Sequence, residues 1–388
     1  NKNFLSKHPA TKQIFTRDDR KWKEGDIFFQ KDLAKTLYRI SNIGRDGFYK
    51  GKTAELIAEE MNKVAGWITL EDLDNYVSKY RKPIFGSFKG YDIISMGPPS
   101  SGGVLLIHML NMLNELQTTS ELPLDLSFNS PDYIHLLTEI ERRAYADRSE
   151  HLGDSDFWDV PIQMLLSKSY TENRVKSIDL EKATKSNKIK HGEKAIRESE
   201  ETTHYSIVDK DGNAVSVTTT INSGYGSGIT ITGAGFLMNN EMDDFSSKPG
   251  VPNLFGLVGN EANAIEPKKR PLSSMTPTIV LKNNKPYLVL GTPGGATIIT
   301  TVFQNILNVV LHDMNIKEAV TSPRFHSQWL PDVVYYEKNS NKLNLDLKSR
   351  GHNLKQRGNI GEANGIMINE KGFWGGADSR GENTAIGY

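Results

Sequence analysis

Between Asp32 and Val77 the chain reads as mostly helical, with "DLAKTLYRISNIG" stopping at Gly44 and "KTAELIAEEMNKVAGW" stopping near Gly66. "YDIISMGPPSSGGVLLIHMLNMLNEL" then reads as a strand, a Pro/Gly turn and a helix. Ser130 as cap and Pro131 at the first position announce a further helix over "YIHLLTEIERRAYADRSEHLGD". From Asp179 to Glu201 the pattern fails. The tract "DLEKATKSNKIKHGEKAIRESEE" is rich in Lys and Glu and poor in apolar residues, which predicts an exposed linker. At Thr202 the spacing switches to alternation: "HYSIV" and "AVSVTTTI" flank "DKDGN", whose Asp-Gly is a hairpin signal. "TPTIVLKNNKPYLVLG" predicts a second hairpin, which runs into the glycine turn and apolar helix of "TPGGATIITTVFQNILNVV". Strands followed by buried helices in both halves predict sheets covered by helices.

Composition narrows the function classes. The 388 residues suffice for one large domain or two ordinary ones, and 37% hydrophobic with 24% charged residues suits a soluble globular chain. Lys plus Arg and Asp plus Glu both number 47, so nothing in the charge balance asks for nucleic acid or an anionic membrane. No cysteine is present, which excludes thiol catalysis, disulfides and cysteine metal sites. No apolar run approaches the length of a membrane helix. The opening "NKNFLSKHPATKQIF" has neither an initiator Met nor an apolar signal core, and reads as a processed or truncated product. The nine histidines show no close-spaced pair, so no metal and no cofactor is expected. "GRDGFYKGKT" ends like a phosphate-binding loop, but Asp46 stands where that motif requires glycine. "GYGSG" is equally incomplete.

The doublet at Thr202 raises the chemical question. A threonine hydroxyl is a poor nucleophile without a base, but a threonine at a chain N-terminus carries its own, because a free α-amino group has an unperturbed pKa of about 7.7–8.0. A charged linker ending at a strand that begins with Thr is the arrangement that a cut before Thr202 needs. Pairing Val208 with Ala214 across the turn puts Thr202 opposite Thr220, within reach of its hydroxyl. Threonines also favour strands for packing reasons alone, so the pattern by itself leaves both readings open.

The blocks together are more specific. "TTHYSIVDKDGNAVSVTTTIN", "NNEMDDFSSKPGVPNLFGLVG", "KRPLSSMTPTIV" and "GTPGGATIITTV" occur in the order and near the spacing of the γ-glutamyltransferase family, whose members are also called γ-glutamyltranspeptidases or glutathione hydrolases. "RFHSQWLPD" and "AYADRSEHLGD" match as well, so the chain resembles that family over nearly its whole length. The resemblance implies an α/β (α+β) fold, the αββα four-layer sandwich of N-terminal-nucleophile hydrolases with mainly antiparallel stacked sheets. It implies self-cleavage between Glu201 and Thr202. Residues 1–201 would be the C-terminal part of a large subunit and 202–388 the small subunit, paired as a heterodimer within one domain.

Carried over residue by residue, the resemblance makes Thr202 the nucleophile and Thr220 the residue that orients it. Gly294 and Gly295 match the oxyanion-hole glycines. Asn222, Glu241 and Asp244 match the residues that hold a donor's α-amino group, and Ser273 and Ser274 those that hold its α-carboxylate. The implied donor is glutathione or another γ-glutamyl compound. The implied acceptor is water, an amino acid or a dipeptide, and the implied location is periplasmic or secreted.

Two departures qualify the match. The family arginine that pairs with the α-carboxylate belongs to a region before this chain's start, so no residue here takes that role, and weak donor binding is expected if the region is absent. Phe255 stands in the lid-like loop where many relatives have tyrosine, so a looser lid is expected. The alternatives are a related acylase, such as a poly-γ-glutamate depolymerase or a cephalosporin acylase, and an unprocessed or truncated chain that only binds γ-glutamyl ligands.

Overall fold

The helix Lys31–Ile43 stops at Gly44, whose φ of 60° is a conformation that side chains resist. The next long helix, Gly51–Lys63, ends shortly before Gly66. Both belong to one of two compact units in the computed structural model, which describes residues 2–119, 125–189, 202–248, 250–338 and 341–387. The first unit is Asn1–Tyr80 with Ile221–Glu241, and the second is Arg81–Thr220 with Met242–Tyr388. In the first, Ala54, Ile57 and Met61 of the second helix pack with Leu73, Ile231 and Ala234. The Thr36 hydroxyl donates to the Ala234 carbonyl at 2.9 Å, so the returning segment is pinned to the helices.

The second unit holds strands β1 (Ile84–Phe88), β2 (Tyr91–Ser95), β3 (Thr203–Val208), β4 (Ala214–Thr219), β5 (Thr278–Lys282), β6 (Lys285–Gly291), β7 (Phe325–His326), β8 (Val334–Tyr336), β9 (Leu354–Gln356), β10 (Asn364–Asn369) and β11 (Gly372–Ala377). Six of them form one antiparallel sheet in the order β1-β2-β5-β6-β10-β11. Ile93, Val280, Leu288 and Leu290 of this sheet share a core with the helices Gly102–Thr119, Pro131–His151 and Thr297–Val310. Side chains alternate along a strand, so residues 289 and 291 face away from those helices. A Cβ at Gly291 would fall on the His204 ring, which places the β3–β4 hairpin on that second face. The Ser216 hydroxyl secures it, donating to the Leu290 carbonyl at 3.0 Å and accepting from the Thr278 N–H at 3.1 Å. Helices, a six-stranded sheet and a stacked hairpin make the layered α+β arrangement that the family resemblance implies. Both predicted hairpins form, and Ser130 caps its helix by accepting from the Tyr133 N–H, with Pro131 at the first position.

The exposed-linker expectation needs correction over its first part. Residues 179–189 are docked: the Ser186 side chain is fully buried and donates to the Trp329 carbonyl, and Ile189 joins the core. The reason lies in the Pro131–His151 helix, which is buried on every side from Tyr133 to Ser149. Its charged groups require partners inside the protein. Glu139 pairs with Arg142 and Arg143 and accepts from the Thr184 N–H at 3.0 Å, while Arg142 donates to the Thr184 carbonyl at 2.8 Å. A polar tract can therefore dock through its backbone with few apolar side chains of its own. The rest of the tract, Glu201 included, lies outside the described residues. Among the described residues no helix is long and apolar enough to cross a membrane.

Candidate active site

The turn that sets the hairpin register is built by Asp209, whose carboxylate accepts the N–H groups of Asp211 and Asn213, both at 2.9 Å, with Gly212 at a φ of 84°. From Val208 opposite Ala214 the pairing runs without a slip to Thr203 opposite Thr219. One step further, the Thr202 hydroxyl donates to that of Thr220 at 3.4 Å. This is the neighbour relation that the turn arithmetic predicts. Thr202 is half-buried at the head of the strand. Two residues on, His204 occupies both ring nitrogens with hydroxyls, Thr218 at 2.9 Å and Ser206 at 3.1 Å. Burial drives its pKa down to about 4, so it sits neutral and anchors the strand against Gly291.

Three residues beyond Gly291 come the two glycines, so the turn they form lies at the same end of the stacked sheets as Thr202. Gly294 has a φ of 137° and Gly295 of 54°, immediately before the helix Thr297–Val310. Both carbonyls are engaged by the first helical N–H groups. Among the described residues neither glycine N–H has an acceptor, and the adjacent helix N-terminus adds positive potential. Two unpaired N–H groups at a helix N-terminus can receive the charge of a tetrahedral oxyanion.

Phe255 lies on this turn. Its ring is buried, and a Cβ added to Gly295 would come within 2.6 Å of its Cδ1. Asn253 accepts the N–H groups of Phe255 and Leu257 at 3.0 and 3.1 Å, and Gln328 donates to the Phe255 carbonyl at 3.0 Å. Gln328 is held in turn by His326, which also meets the Thr300 hydroxyl at 2.8 Å. The fixed points of this loop are backbone hydrogen bonds, which a phenylalanine supplies as well as a tyrosine.

Burial also lowers His326, to a pKa of about 3. For both histidines the folded pKa lies below the unfolded value of about 6.5, so their contribution to stability is complete above pH 6.5 and is lost as pH falls through about 4 for His204 and about 3 for His326. Each contributes on the order of 3–5 kcal/mol to that dependence. We expect urea midpoints to drop between pH 6.5 and 4, and His204→Asn to flatten the slope. An unchanged slope in the variant would remove His204 from this account.

The segment Leu272–Met275 lies alongside the Pro/Gly turn that precedes the Gly102–Thr119 helix. The Ser273 N–H donates to the Pro99 carbonyl and the Ser101 N–H to the Ser273 carbonyl, both at 2.9 Å. A Cβ at Gly102 would fall on the Met275 carbonyl and the Thr276 hydroxyl, so only glycine allows this approach. Below the serines is Arg148, 4% exposed. Its Nε donates to Ser101 Oγ at 2.9 Å, and its Nη2 to Ser274 Oγ at 3.3 Å and the Leu272 carbonyl at 3.5 Å. Burial lowers its pKa to about 10, against the opposing pulls of Tyr145 and Asp244, so it stays charged at neutral pH. Ser100, Ser101 and Arg148 are functional-site neighbours that the sequence reading did not single out. Arg148 lies within the block "AYADRSEHLGD", but nothing in its spacing marks an interior cation.

Asp244 closes the short turn Glu241–Asp244, and its carbonyl accepts from Asn263 at 2.7 Å. Asn222 and Glu241 belong to the first unit. There Asn222, buried at a φ of 74°, donates to the Asn240 carbonyl at 3.1 Å, and the Glu241 N–H donates to Asn239 at 2.9 Å. Among the described residues no group of three or more His, Asp or Glu side chains is arranged to hold a metal ion.

The family model described as Gamma-glutamyltranspeptidase matches residues 1–388. The chain is 46% identical over 387 residues to the glutathione hydrolase proenzyme of Escherichia coli (strain K12), covering 99% of this chain and 66% of that protein. With the glutathione hydrolase proenzyme of Pseudomonas aeruginosa it shares 43% over 369 residues, covering 94% and 65%. The crystal structure of cephalosporin acylase from Bacillus halodurans matches with a TM-score of 0.81 at 23% identity, covering 100% of this chain and 68% of that one. That likeness is one of fold. The chain thus spans about two thirds of the length of the curated relatives it matches.

Proposed function

The chain belongs to the γ-glutamyltranspeptidase family, and from that membership we propose that Thr202 is the nucleophile of a γ-glutamyl-transferring hydrolase. The observation that carries the reading is the hydroxyl pair of Thr202 and Thr220, 3.4 Å apart at the head of the hairpin. Cleavage between Glu201 and Thr202 frees an α-amine with a pKa near neutrality. That amine takes the Thr202 hydroxyl proton as the oxygen attacks the γ-carbonyl of glutathione or another γ-glutamyl donor. Thr220 orients the hydroxyl, and the N–H groups of Gly294 and Gly295 receive the oxyanion.

As the intermediate collapses, the bond to the leaving amine breaks, and the α-ammonium returns its proton to that amine. A γ-glutamyl ester on Thr202 remains. Water then releases glutamate, or an amino acid or dipeptide takes the acyl group. Ser273 and Ser274 hold the donor's α-carboxylate, and Asp244 of the same unit offers its α-ammonium an opposite charge. Phe255 covers the bound acyl group. In this reading residues 1–201 end the large subunit, 202–388 form the small one, and the heterodimer works in the periplasm or outside the cell.

The complete protein carrying this sequence should release the anilide from γ-glutamyl-p-nitroanilide in preference to glutaryl-p-nitroanilide. The second compound has the same chain length but lacks the α-ammonium group. A preference for the glutaryl compound would favour the related-acylase reading instead. Release from neither would overturn the proposal.

A further inference from the structure

Arg148 is the buried cation that the proposed mechanism leaves unused. Its helix neighbours Arg142 and Arg143 are paired with Glu139, but among the described residues no carboxylate lies within ion-pair distance of Arg148. Asp244 acts on it only from beyond that distance, so the buried charge is incompletely compensated, and the cost is offset when an anion arrives near it.

The hydrogen-bond directions around it are constrained. A guanidinium only donates, so Ser274 Oγ must be the acceptor in its contact with Arg148. The single proton of Ser274 is thereby left for another acceptor, and the described residues offer none. Ser273 Oγ likewise accepts from the Met275 N–H at 3.0 Å, leaving its own proton unused. Ser101 completes the frame: it accepts from Arg148 Nε and donates to the Ser273 carbonyl at 2.8 Å. Two neighbouring hydroxyls are therefore both obliged to act as donors toward whatever occupies the space beside them, with a full positive charge beneath one of them.

We propose that Arg148 is a positioning residue for this serine pair, fixing Ser274 as a donor and adding positive charge to the carboxylate subsite from beneath it. The inference rests on the reading of Ser273 and Ser274 as the site of the donor's α-carboxylate. It deepens that reading by assigning a share of the discrimination between an anionic and a neutral α-substituent to a residue that does not itself touch the substrate.

The test uses the complete protein with two donors, γ-glutamyl-p-nitroanilide and its α-carboxamide. The quantity read is the ratio of their kcat/KM values. In Arg148→Met the ratio should fall roughly 10- to 100-fold, mainly through KM for the carboxylate donor, with kcat held within about threefold. Arg148→Lys should recover part of it. A merely structural clamp would weaken both donors alike, and an unchanged ratio in Arg148→Met overturns the proposal. Should that variant not fold, Arg148→Lys carries the test. It keeps the charge but cannot reach both serines, so the ratio should drop about threefold, and no drop overturns the proposal. Wild-type protein that turns over neither donor sinks the functional reading, and this inference with it. Wild-type activity with a ratio indifferent to Arg148 sinks the inference alone.

Discussion

Thr202→Ala leaves the complete protein as one uncut chain and lowers kcat on a γ-glutamyl anilide by on the order of 10⁴-fold or more. Both losses have one origin. The hydroxyl that attacks the donor is also the one asked to attack the carbonyl before it, and the amine that serves as base exists only after that cut. The variant should fold, because Thr202 is half-buried at the head of β3 and its hydroxyl bond to Thr220 is long, at 3.4 Å. Intact-mass measurement after incubation at neutral pH reads the first loss, and anilide release the second. Thr202→Ser keeps a hydroxyl and should still split, more slowly. Two fragments divided between Glu201 and Thr202 in the alanine variant would show that cleavage needs no Thr202 hydroxyl, and the nucleophile assignment would fall with it.

Gly295→Ala should lower kcat roughly 10²- to 10³-fold, the range for removing one well-aimed oxyanion donor. The cause is double. At a φ of 54° a side chain is strained, and the added Cβ would stand 2.6 Å from Phe255 Cδ1. Relief must come from turning the peptide, which re-aims its N–H, or from lifting the ring. Combining the change with Phe255→Ala removes the clash but not the backbone strain, so part of the activity should return. KM should move less than kcat if the N–H groups serve the transition state rather than the bound donor. Full activity in Gly295→Ala, with the melting temperature unchanged, would exclude these N–H groups from the chemistry.

Some of the site was legible because its determinants are local. The register that brings Thr220 to Thr202 follows from a period of two and from one Asp-Gly turn. The glycine pair before an apolar helix reads directly as a turn whose N–H groups can approach a ligand, and Ser130 with Pro131 reads as a helix start. Other features were illegible for an equally physical reason. Residues 179–189 have the composition of a linker, yet they dock by giving backbone hydrogen bonds to buried charges. Arg148 carries the signature of a surface residue, and only the packing of its helix on all sides turns it into an interior cation. Asn222, Glu241 and Asp244 stand within a short stretch of sequence, yet the first two fall in one compact unit and the third in the other.

The sequence alone determined the chemistry on offer: a threonine placed to become a chain terminus, a second threonine opposite it, serine and glycine pairs, and membership of a family that uses such groups. These follow from residue type and short-range geometry, which survive without knowledge of the remaining chain. Tertiary structure decided which charges lie inside, which N–H groups are left without acceptors, and which hydroxyls are forced to donate. Those properties depend on what packs against each group from far along the chain, and no local period encodes that.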